Sequence, residues 1–268
     1  ARLLRNLEPD IVHSQGFRAD FLCAGRDRYP IHVSTQRNSP FHDYPPLYGR
    51  LLGTIVAYFH HRSVARIPNL VSCSKSIASS NADRGLRSIV IQNGVDLNQR
   101  KYLLNTEEKL RERVALNLPT TGRLLISAGP FISRKDPEFL IRTILSQKEK
   151  TDVLCLLGDG PSLTACKQLA GGSNNIVMPG HVDNVTDYLN ASDLFISASR
   201  AEGMPNAALE GMAAGLPVVL SDIPSHRELL YHCPEAGCIF PLGDMESLSK
   251  HLQMLSVNDS TREAARRL

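Results

Sequence analysis

Two glutamates, Glu202 and Glu210, lie eight positions apart in the segment SRAEGMPNAALEGMAAGLPVV, which spans residues 199–219. The residues around them are small, apolar or neutral polar, and no lysine or arginine lies between them. The positive end of a helix macrodipole is a sufficient partner for Glu202 alone, but it does not explain a second carboxylate in the middle of the helix. The pattern therefore indicates carboxylates that contact a bound group.

The turn RAEG precedes a short predicted helix, which explains the spacing of the two glutamates. Pro205 suits the first helical position, and Gly215 suits the C-terminal cap. Leu209, Met212 and Ala213 fall on one face of this helix, so we expect them to pack on the preceding strand, DLFISAS.

The start of the same helix has the chemistry of a phosphate site. Backbone N–H groups from Gly203 to Asn206 open the helix, and such ends bind phosphate. Asn206 and Glu210 are i and i+4 and share a second face, where Glu210 can accept hydrogen bonds from a pair of hydroxyls. Glu202, just ahead, can reach a group beyond the phosphate. A diol, a phosphate and a further group in a row describe a nucleotide-sugar.

Short apolar runs alternate with helical patterns along the chain and supply the elements that position these residues. The first predicted strands are DIVHS (10–14), IHVST (31–35), LVSCS (70–74) and SIVIQNGVD (88–96). The pattern restarts with RLLISAG (123–129), DVLCLLGDG (152–160), NIVMPG (175–180), DLFISAS (193–199) and LPVVLSD (216–222). Helices are predicted at residues 48–67, 74–85, 136–150, 162–170, 185–192, 205–215 and 245–255.

Strands that alternate with helices predict an α/β fold of doubly wound parallel sheets covered on both faces. The stretch 97–122 is polar and precedes the restart, so we place the domain boundary there and assign residues 1–105 and 106–268 to two domains. Two such domains usually face each other across a ligand cleft. No repeat of fixed period and no low-complexity segment interrupts them.

Ligands of such sheets bind at the carboxyl ends of the strands, so the residues at those ends are the candidates for a site. They are His13–Gly16, Gln36–Asn38, Asn93–Asp96, Gly129–Lys135, Gly158–Pro161, Gly180–Val182 and Ser199–Asn206.

Composition is that of an ordinary globular protein, with 42% apolar and 21% charged residues. No apolar run is long enough to span a bilayer, and the N-terminus has no signal-peptide pattern. Six cysteines occur without CxxC or zinc-like spacing, which favours reduced core thiols in a cytoplasmic protein. A local bridge between Cys233 and Cys238 is the alternative.

Charge differs between the two predicted domains. Residues 1–105 hold 14 Lys and Arg against 7 Asp and Glu, whereas the remainder holds 16 against 20. A basic first domain suggests an anionic partner such as a membrane surface, and a solvated basic surface is the alternative.

Several motifs, in the same order along the chain, resemble those of one family, the retaining GT-B glycosyltransferases of glycosyltransferase family 4. The two glutamates resemble its E-x7-E signature, and VIQNGVD resembles I-P-N-G-V-D, where the family's first domain ends. GPFISRKDPEFLI is similar to G-R-L-x-x-x-K-G, and LLGDGP resembles the loop beside the base. PGHVDNVTDYLNASDLFISAS and GLPVVLSDIPSHRE resemble the segments on either side of the signature. The match runs over nearly the whole chain.

The resemblance implies a role for each matching residue in binding an NDP-sugar donor. Glu210 would bind the ribose, Lys135 the diphosphate and Glu202 the donor sugar. The loop on the phosphate and sugar side would be Gly203, Met204, Pro205 and Asn206. Gly180, His181 and Val182 would line the base, with Gly158 in the neighbouring loop. No metal or cofactor is implied, because the family neutralises the leaving diphosphate with Lys, Arg and a helix end.

Three departures from the family pattern change these expectations. The family's phosphate arginine aligns with Pro130, so Arg134 beside Lys135 is either its substitute or a surface residue. The second histidine expected after DIVH aligns with Gln15, which puts the role of that histidine in doubt. The family's first strands and glycine-rich acceptor loop have no counterpart, and the chain lacks an initiator Met. We therefore expect an N-terminally truncated form of a longer enzyme.

The acceptor side is predicted from the first domain. His13 is either a core histidine or an acceptor-side residue, and Arg37 and Asn38 belong to RNSPFHDYP (37–45), which we interpret as an acceptor-contacting loop. The alternative for that segment is a mobile surface loop. His60 and His61 lie in a helical run, where we expect a structural or solvent-facing role.

These expectations predict a retaining, metal-independent hexosyltransferase that adds a sugar to a growing glycan, with lipid-linked surface polysaccharide as the favoured acceptor. The expected location is the cytoplasm, with peripheral contact at the inner face of the cytoplasmic membrane and no nucleic-acid partner. A sucrose- or trehalose-type enzyme of the same fold and a non-catalytic nucleotide-binding homologue are the alternatives.

Overall fold

The computed structural model describes residues 6–24, 31–96, 105–147, 151–231 and 233–255. Contacts among residues divide the chain into two compact units. Unit 1 comprises Ala1–Asn93 and Ala201–Met204, and unit 2 comprises Gly94–Arg200 and Pro205–Leu268. This division lies ahead of the boundary predicted after residue 105. Within the described residues, none of the helices has both the length and the apolar character needed to cross a bilayer.

Unit 1 is built on a four-stranded parallel sheet in the order β1-β2-β3-β4. The strands are β1 (Ile11–Ser14), β2 (Ile31–Gln36), β3 (Asn69–Ser72) and β4 (Ile89–Val90). The helices are α1 (Phe17–Cys23), α2 (Pro40–Tyr48), α3 (Arg50–Val64) and α4 (Lys75–Ala82).

The expectation that both sheets are covered on both faces is wrong for the described part of unit 1. Residues of β1 and β2 alternate between exposed or half-buried and buried, so Val12 and His32 are buried while Ile11 and Ile31 are exposed. The strand order advances in one direction, and right-handed crossovers then place every connecting helix on the same face. The opposite face of this sheet therefore carries exposed apolar side chains.

The segment 37–45, predicted as a loop, is mostly the helix α2. Pro40 occupies its first turn, where proline is tolerated, but Pro45 and Pro46 lie inside the helix. Packing against α3 explains this conformation. Tyr44 stacks on His60 at 5.8 Å between ring centroids, and its hydroxyl lies 2.9 Å from His60 Nδ1. Tertiary contacts here outweigh local propensity.

Unit 2 contains a six-stranded parallel sheet in the order β10-β9-β8-β5-β6-β7. The strands are β5 (Arg123–Ala128), β6 (Asp152–Leu157), β7 (Ile176–Gly180), β8 (Leu194–Ser197), β9 (Val218–Ser221) and β10 (Gly237–Phe240). The helices are α5 (Thr106–Ala115), α6 (Pro137–Ser146), α7 (Leu163–Ala170), α8 (Val185–Ala191), α9 (Asn206–Ala213), α10 (Pro224–Tyr231) and α11 (Met245–Met254), with a 3-10 turn at Pro234–Ala236.

The core of unit 2 lies around its central strands, where every residue of β6, β8 and β9 is buried. Near-continuous apolar strands of this kind are typical of a parallel sheet packed on both faces, as predicted for this half of the chain. No disulfide joins any of the six cysteines, all of which lie in described segments, so the Cys233–Cys238 bridge does not form.

Helix α5 lies within the polar stretch 97–122, where the sequence pattern predicts a domain boundary and no helix. It opens with a capping box between Asn105 and Glu108, an Asn-x-x-Glu signal that the sequence does contain. Its buried Lys109 and Arg113 bind Asp193, ahead of β8. Burial alone would raise the pKa of the Asp193 carboxyl, but these two cations and the Leu124 N–H hold it below its ordinary value.

Candidate functional site

Helix α9 presents Glu210 at the surface of unit 2. Its buried face consists of Ala208, Gly211 and Met212, rather than the predicted Leu209, Met212 and Ala213. A β-carbon at Gly211 would lie 2.9 Å from the Phe195 ring of β8, so the glycine permits close packing of helix on strand.

The remaining face of α9 has the predicted polar pair. Asn206 is the first residue of the helix, one position after the expected start at Pro205, and Glu210 follows one turn later. Both residues are exposed to solvent near the start of the helix. This placement leaves Glu210 accessible to a ligand.

Lys135 and Glu210 interact electrostatically within unit 2. Partial burial raises the pKa of the Glu210 carboxyl, and the charge of Lys135 opposes that rise. The net effect is a pKa above the ordinary value. The two predicted ligands of the ribose and diphosphate therefore lie close enough for their charges to interact.

Lys135 folds back over the end of β5. A β-carbon at Gly129 would lie 3.2 Å from Lys135 Cε and 3.4 Å from Nζ, and Gly129 has a φ of +147°. The lysine thus places its ammonium beside the backbone where β5 ends, and a larger residue than glycine would push it away. A fixed cation at a strand end is suited to an anionic ligand.

Three glycines at neighbouring strand ends form a continuous backbone edge. Gly129 donates its N–H to Leu157 O at 2.9 Å, and Gly158 donates to Gly180 O at 2.8 Å. A β-carbon at Gly158 would lie 2.1 Å from Gly129 O, so the chain admits only glycine there without movement. We call Gly129, Gly158 and Gly180 the glycine edge.

The predicted base-side residues follow the glycine edge. His181 is exposed and lies 3.7 Å from Asp183 Oδ1, while Val182 is half-buried. Both follow β7 directly, so the position is consistent with the predicted role.

The Glu202 loop belongs to unit 1 by its contacts. A β-carbon at Gly203 would lie 1.5 Å from Arg37 O and 3.1 Å from Asn38 Oδ1. The loop therefore places Glu202, Gly203 and Met204 beside the two residues predicted for the acceptor side. The sequence suggested both groups but not this contact between them.

His13 lies on the uncovered face of the first sheet and is not a core histidine. It is exposed, and its Nε2 lies 2.8 Å from Thr35 Oγ1 on β2. Arg37 is exposed and Asn38 half-buried, both just past the end of β2. The three predicted acceptor-side residues thus lie on β1 or just past the end of the adjacent strand β2.

A buried polar network beneath these strands was not predicted. Asp20 of α1 is fully buried and accepts hydrogen bonds from Ser14 at 2.6 Å and Ser34 at 2.8 Å. His60 of α3 lies 2.8 Å from the same carboxylate. Burial would raise the pKa of Asp20, but His60 and the hydroxyls lower it overall. His60 is therefore structural, as one of its two predicted roles required.

Two further residues contact the Lys135 segment and were also missed. Arg200 and Asp136 form an ion pair at 2.6 Å, although they are 64 positions apart in the chain. A contact at that separation leaves no signal in local sequence periodicity. The Arg134 carbonyl oxygen accepts a hydrogen bond from the Arg200 N–H at 2.8 Å.

Two family models match this chain. Residues 122–258 match the model described as "Glycosyl transferases group 1", and residues 1–99 match "Glycosyltransferase Family 4".

Curated relatives and one solved structure extend the comparison. The chain is 32% identical over 141 residues to the putative teichuronic acid biosynthesis glycosyltransferase TuaC of Bacillus subtilis (strain 168), covering 52% of this chain and 34% of that one. It is 26% identical to the lipopolysaccharide core biosynthesis glycosyltransferase LpsD of Rhizobium meliloti (strain 1021), covering 98% and 69%. It is 25% identical to UDP-Gal:alpha-D-GlcNAc-diphosphoundecaprenol alpha-1,3-galactosyltransferase of Escherichia coli, covering 92% and 66%.

Anabaena Alr3699/HepE, solved in complex with UDP and glucose, superposes with a TM-score of 0.79 at 20% identity, over 99% of this chain and 74% of that one. At this identity the likeness shows the fold, which is GT-B. The chain spans between about a third and three quarters of the length of the proteins it matches.

Proposed function

Because this chain belongs to the family of group 1 glycosyl transferases, we propose that it transfers a sugar from an NDP-sugar donor to a growing glycan. The observation that carries the proposal is the Lys135 ammonium, which folds over Gly129 at the end of β5 and interacts with the charge of Glu210. A cation and a carboxylate at the strand ends of one parallel sheet suit a diphosphate and a ribose diol.

The donor contacts follow from these positions. Glu210 accepts hydrogen bonds from the two ribose hydroxyls, and Lys135 binds the diphosphate with the start of α9. The base lies beside Gly180, His181 and Val182, past the glycine edge. UDP is the first nucleotide to test, since the Anabaena structure contains UDP.

Transfer breaks the bond between the sugar and a diphosphate that gains negative charge as it leaves. Lys135 stabilises that charge in place of a metal ion, and Arg134 is the second candidate cation. Glu202 contacts the donor sugar. We propose that an acceptor hydroxyl attacks on the side of the leaving group and passes its proton to the departing diphosphate oxygen as the new glycosidic bond forms. This step retains the anomeric configuration and needs no cofactor.

The acceptor is proposed to be a lipid-linked glycan of a surface polysaccharide. The named relatives are glycosyltransferases of teichuronic acid and lipopolysaccharide core biosynthesis, and one has a diphosphoundecaprenol substrate in its name. His13, Arg37 and Asn38 of unit 1 are the proposed acceptor-side residues. His13 lies near the carboxyl end of β1, and Arg37 and Asn38 follow the carboxyl end of β2, which supports this assignment.

An exposed stripe of α3 supports our proposal that the protein contacts the inner side of the cytoplasmic membrane. Gly53, Ala57, His60 and Val64 are buried, but a second stripe of the same helix is exposed. Leu51 is 79% exposed, far beyond what packing on a sheet allows. We call this stripe the α3 face; it comprises Leu51, Leu52, Ile55, Tyr58 and Phe59.

The charge around the α3 face favours an anionic surface. Residues 44–82 contain no Asp or Glu, while Arg50, Arg62 and Arg66 are exposed on or beside α3. Apolar and aromatic side chains flanked by arginines are typical of helices that lie in a membrane interface. Arg18 is exposed on α1, whereas Arg26 and Arg28, which the charge pattern also suggested, lie outside the described residues.

A binding screen of UDP-, GDP- and ADP-sugars, followed by an assay of NDP release, tests the proposed function. We expect one donor to bind and free NDP to appear only with a lipid-linked glycan acceptor. Binding without release would identify a non-catalytic nucleotide-binding homologue. Release with a hexose or hexose phosphate acceptor would favour the sucrose- or trehalose-type alternative, and failure to bind any donor would overturn the proposal.

Mechanism is tested on the active donor and acceptor pair. NMR of the product reports the anomeric configuration, which we expect to match the donor. Activity should persist in EDTA, because the proposed charge stabilisation uses Lys135 rather than a divalent ion. An inverted product or a strict metal requirement would contradict these two parts of the proposal separately.

A further inference from the structure

Arg200, which follows the buried strand β8 and Ser199, contacts the residues on both sides of Lys135. Its backbone N–H donates to Arg134 O at 2.8 Å. Its guanidinium donates from Nε and Nη2 to Asp136 Oδ2 at 2.9 and 2.6 Å. All these residues belong to unit 2. One arginine thus brackets Lys135.

Asp136 has a backbone conformation that is unfavourable for two reasons. Its φ of 50° and ψ of 51° are left-handed, which is uncommon for a residue with a side chain. It also precedes Pro137, and a residue before proline is pushed towards extended conformations. Such strain persists only where surrounding contacts hold it, and it concentrates at functional sites.

The carboxylate of Asp136 does not cap the helix that follows it. Asp136 is the N-cap of α6, where an aspartate normally accepts a hydrogen bond from a backbone N–H of the first turn, yet its side chain makes no such bond. Its side chain is 18% exposed and bonds Arg200 instead. The Arg200 contact therefore takes the place of helix capping at this position.

We propose that Arg200 and Asp136 are positioning residues that hold Lys135 over Gly129, ready for the donor diphosphate. The inference rests on the proposed diphosphate role of Lys135. The left-handed turn at residue 136 fixes how the segment that carries Lys135 joins α6, and the Arg200 N–H holds the same segment at the Arg134 carbonyl oxygen. If Asp136 relaxes to the extended conformation that Pro137 favours, Lys135 moves away from Gly129.

A double-mutant cycle tests the positioning role, with UDP as the probe. Arg200→Ala should weaken UDP binding about fivefold or more, since contacting residues show coupling of this size. Glycine adopts the left-handed turn without strain, so in an Asp136→Gly background the same Arg200 substitution should change UDP affinity less than about twofold. Arg200→Lys, which keeps the charge but not the two-donor fork, should fall between wild type and Arg200→Ala.

Arg142→Ala is the matched control. Arg142 lies 3.7 Å from Glu138 on α6, and the two form an exposed ion pair in the same unit. The Arg142→Ala substitution should leave UDP affinity and thermal stability unchanged, because most exposed ion pairs contribute little to stability. An equal loss of UDP affinity from Arg200→Ala in both backgrounds, or no loss in either, would overturn the proposal.

Hydrogen exchange of the ligand-free protein separates this inference from the proposed function. Amides of residues 131–136 should exchange about tenfold faster in Arg200→Ala, whereas core strands β6 and β8 should not change. Unchanged exchange in residues 131–136 overturns the inference. If wild type binds none of UDP, GDP and ADP, the proposed function fails. If Lys135→Ala keeps both its nucleotide affinity and its turnover, the diphosphate role of Lys135 fails. In either case, exchange alone then decides whether Arg200 holds residues 131–136.

Discussion

Gly203 and Arg37 approach so closely that a β-carbon at position 203 would lie 1.5 Å from the Arg37 carbonyl oxygen. The two residues are 166 positions apart in the chain and nevertheless belong to the same unit. No positive φ requires glycine at position 203, so the requirement is purely one of space. The loop that carries Glu202 therefore depends on the absence of a single methyl group.

Gly203→Ala should displace the Glu202 loop from Arg37. The overlap involves backbone on both sides, so side-chain rotation cannot relieve it, and overpacking of this kind costs about 1–3 kcal/mol. We expect a lower melting temperature and a lower kcat/KM with the active donor. An unchanged melting temperature together with an unchanged kcat/KM would show that the close approach does not matter.

Glu210→Ala should weaken nucleotide binding, because two ribose hydroxyls lose a charged acceptor. A hydrogen bond to a charged group contributes about 1.5–3 kcal/mol, so the Kd for the nucleotide should rise at least several-fold. Isothermal titration with NDP and with the corresponding 2′,3′-dideoxy NDP measures this. The dideoxy ligand should bind wild type and variant alike. An unchanged Kd for the ordinary nucleotide would refute the ribose role.

As pH decreases, nucleotide affinity should begin to fall at a higher pH than it would if the Glu210 carboxyl had its ordinary pKa. Partial burial raises the pKa of Glu210 despite Lys135, and only the ionised form accepts hydrogen bonds from both hydroxyls. Affinity is thus full above the raised pKa and is lost as pH falls through it. Glu210→Gln should abolish this component while the phosphate titration remains, so the two profiles should differ only on the acidic side.

Lys135→Ala should reduce turnover more than ground-state binding, because the diphosphate gains charge as the sugar leaves. Steady-state kinetics and direct titration of the donor measure the two effects separately. Lys167→Ala, on α7, is a control for loss of a cation from unit 2. If kcat stays within about twofold and only KM rises, Lys135 binds ground and transition state equally, and the proposed mechanism is wrong at this residue.

The α3 face should bind anionic vesicles. Arginines near such a surface contribute about 1 kcal/mol each, and salt screens the attraction. Sedimentation with phosphatidylglycerol vesicles should exceed that with phosphatidylcholine and decrease between low and high salt. The double substitution Leu51→Ser and Phe59→Ser should weaken vesicle binding at either salt concentration, because it removes apolar contact with the membrane.

The exposed Leu110 and Val114 on the charged helix α5 are a matched control pair for substitution to serine. Their loss should not alter vesicle binding. Equal recovery on neutral and anionic vesicles would contradict the membrane proposal. A concentration-dependent dimer that Leu51→Ser dissociates would assign the α3 face to a second copy instead.

Much of unit 2 could be predicted because its signals are local. Apolar runs predicted β5 to β9, and the two glutamates with Lys135 were recognised from motif spacing. Helix α5 was missed although its capping box is a local signal. The other missed features depend on distant contacts. Helix α2 contains three prolines and is stabilised by the Tyr44–His60 contact, while Asp136 is held by Arg200, 64 positions away. The one-sided cover of the first sheet follows from strand order, which periodicity does not report.

The glycine edge limits how donor preference can be redesigned. Gly129, Gly158 and Gly180 are joined by backbone contacts, so lengthening or exchanging one of the three loops displaces the next, and with it the lysine above Gly129. Transplanting a single loop from a relative with another donor should therefore yield inactive chimeras. We propose that His181 and Val182 line the base. Side-chain libraries at these two positions, which leave the backbone of the glycine edge in place, are therefore the practical route to a changed base specificity.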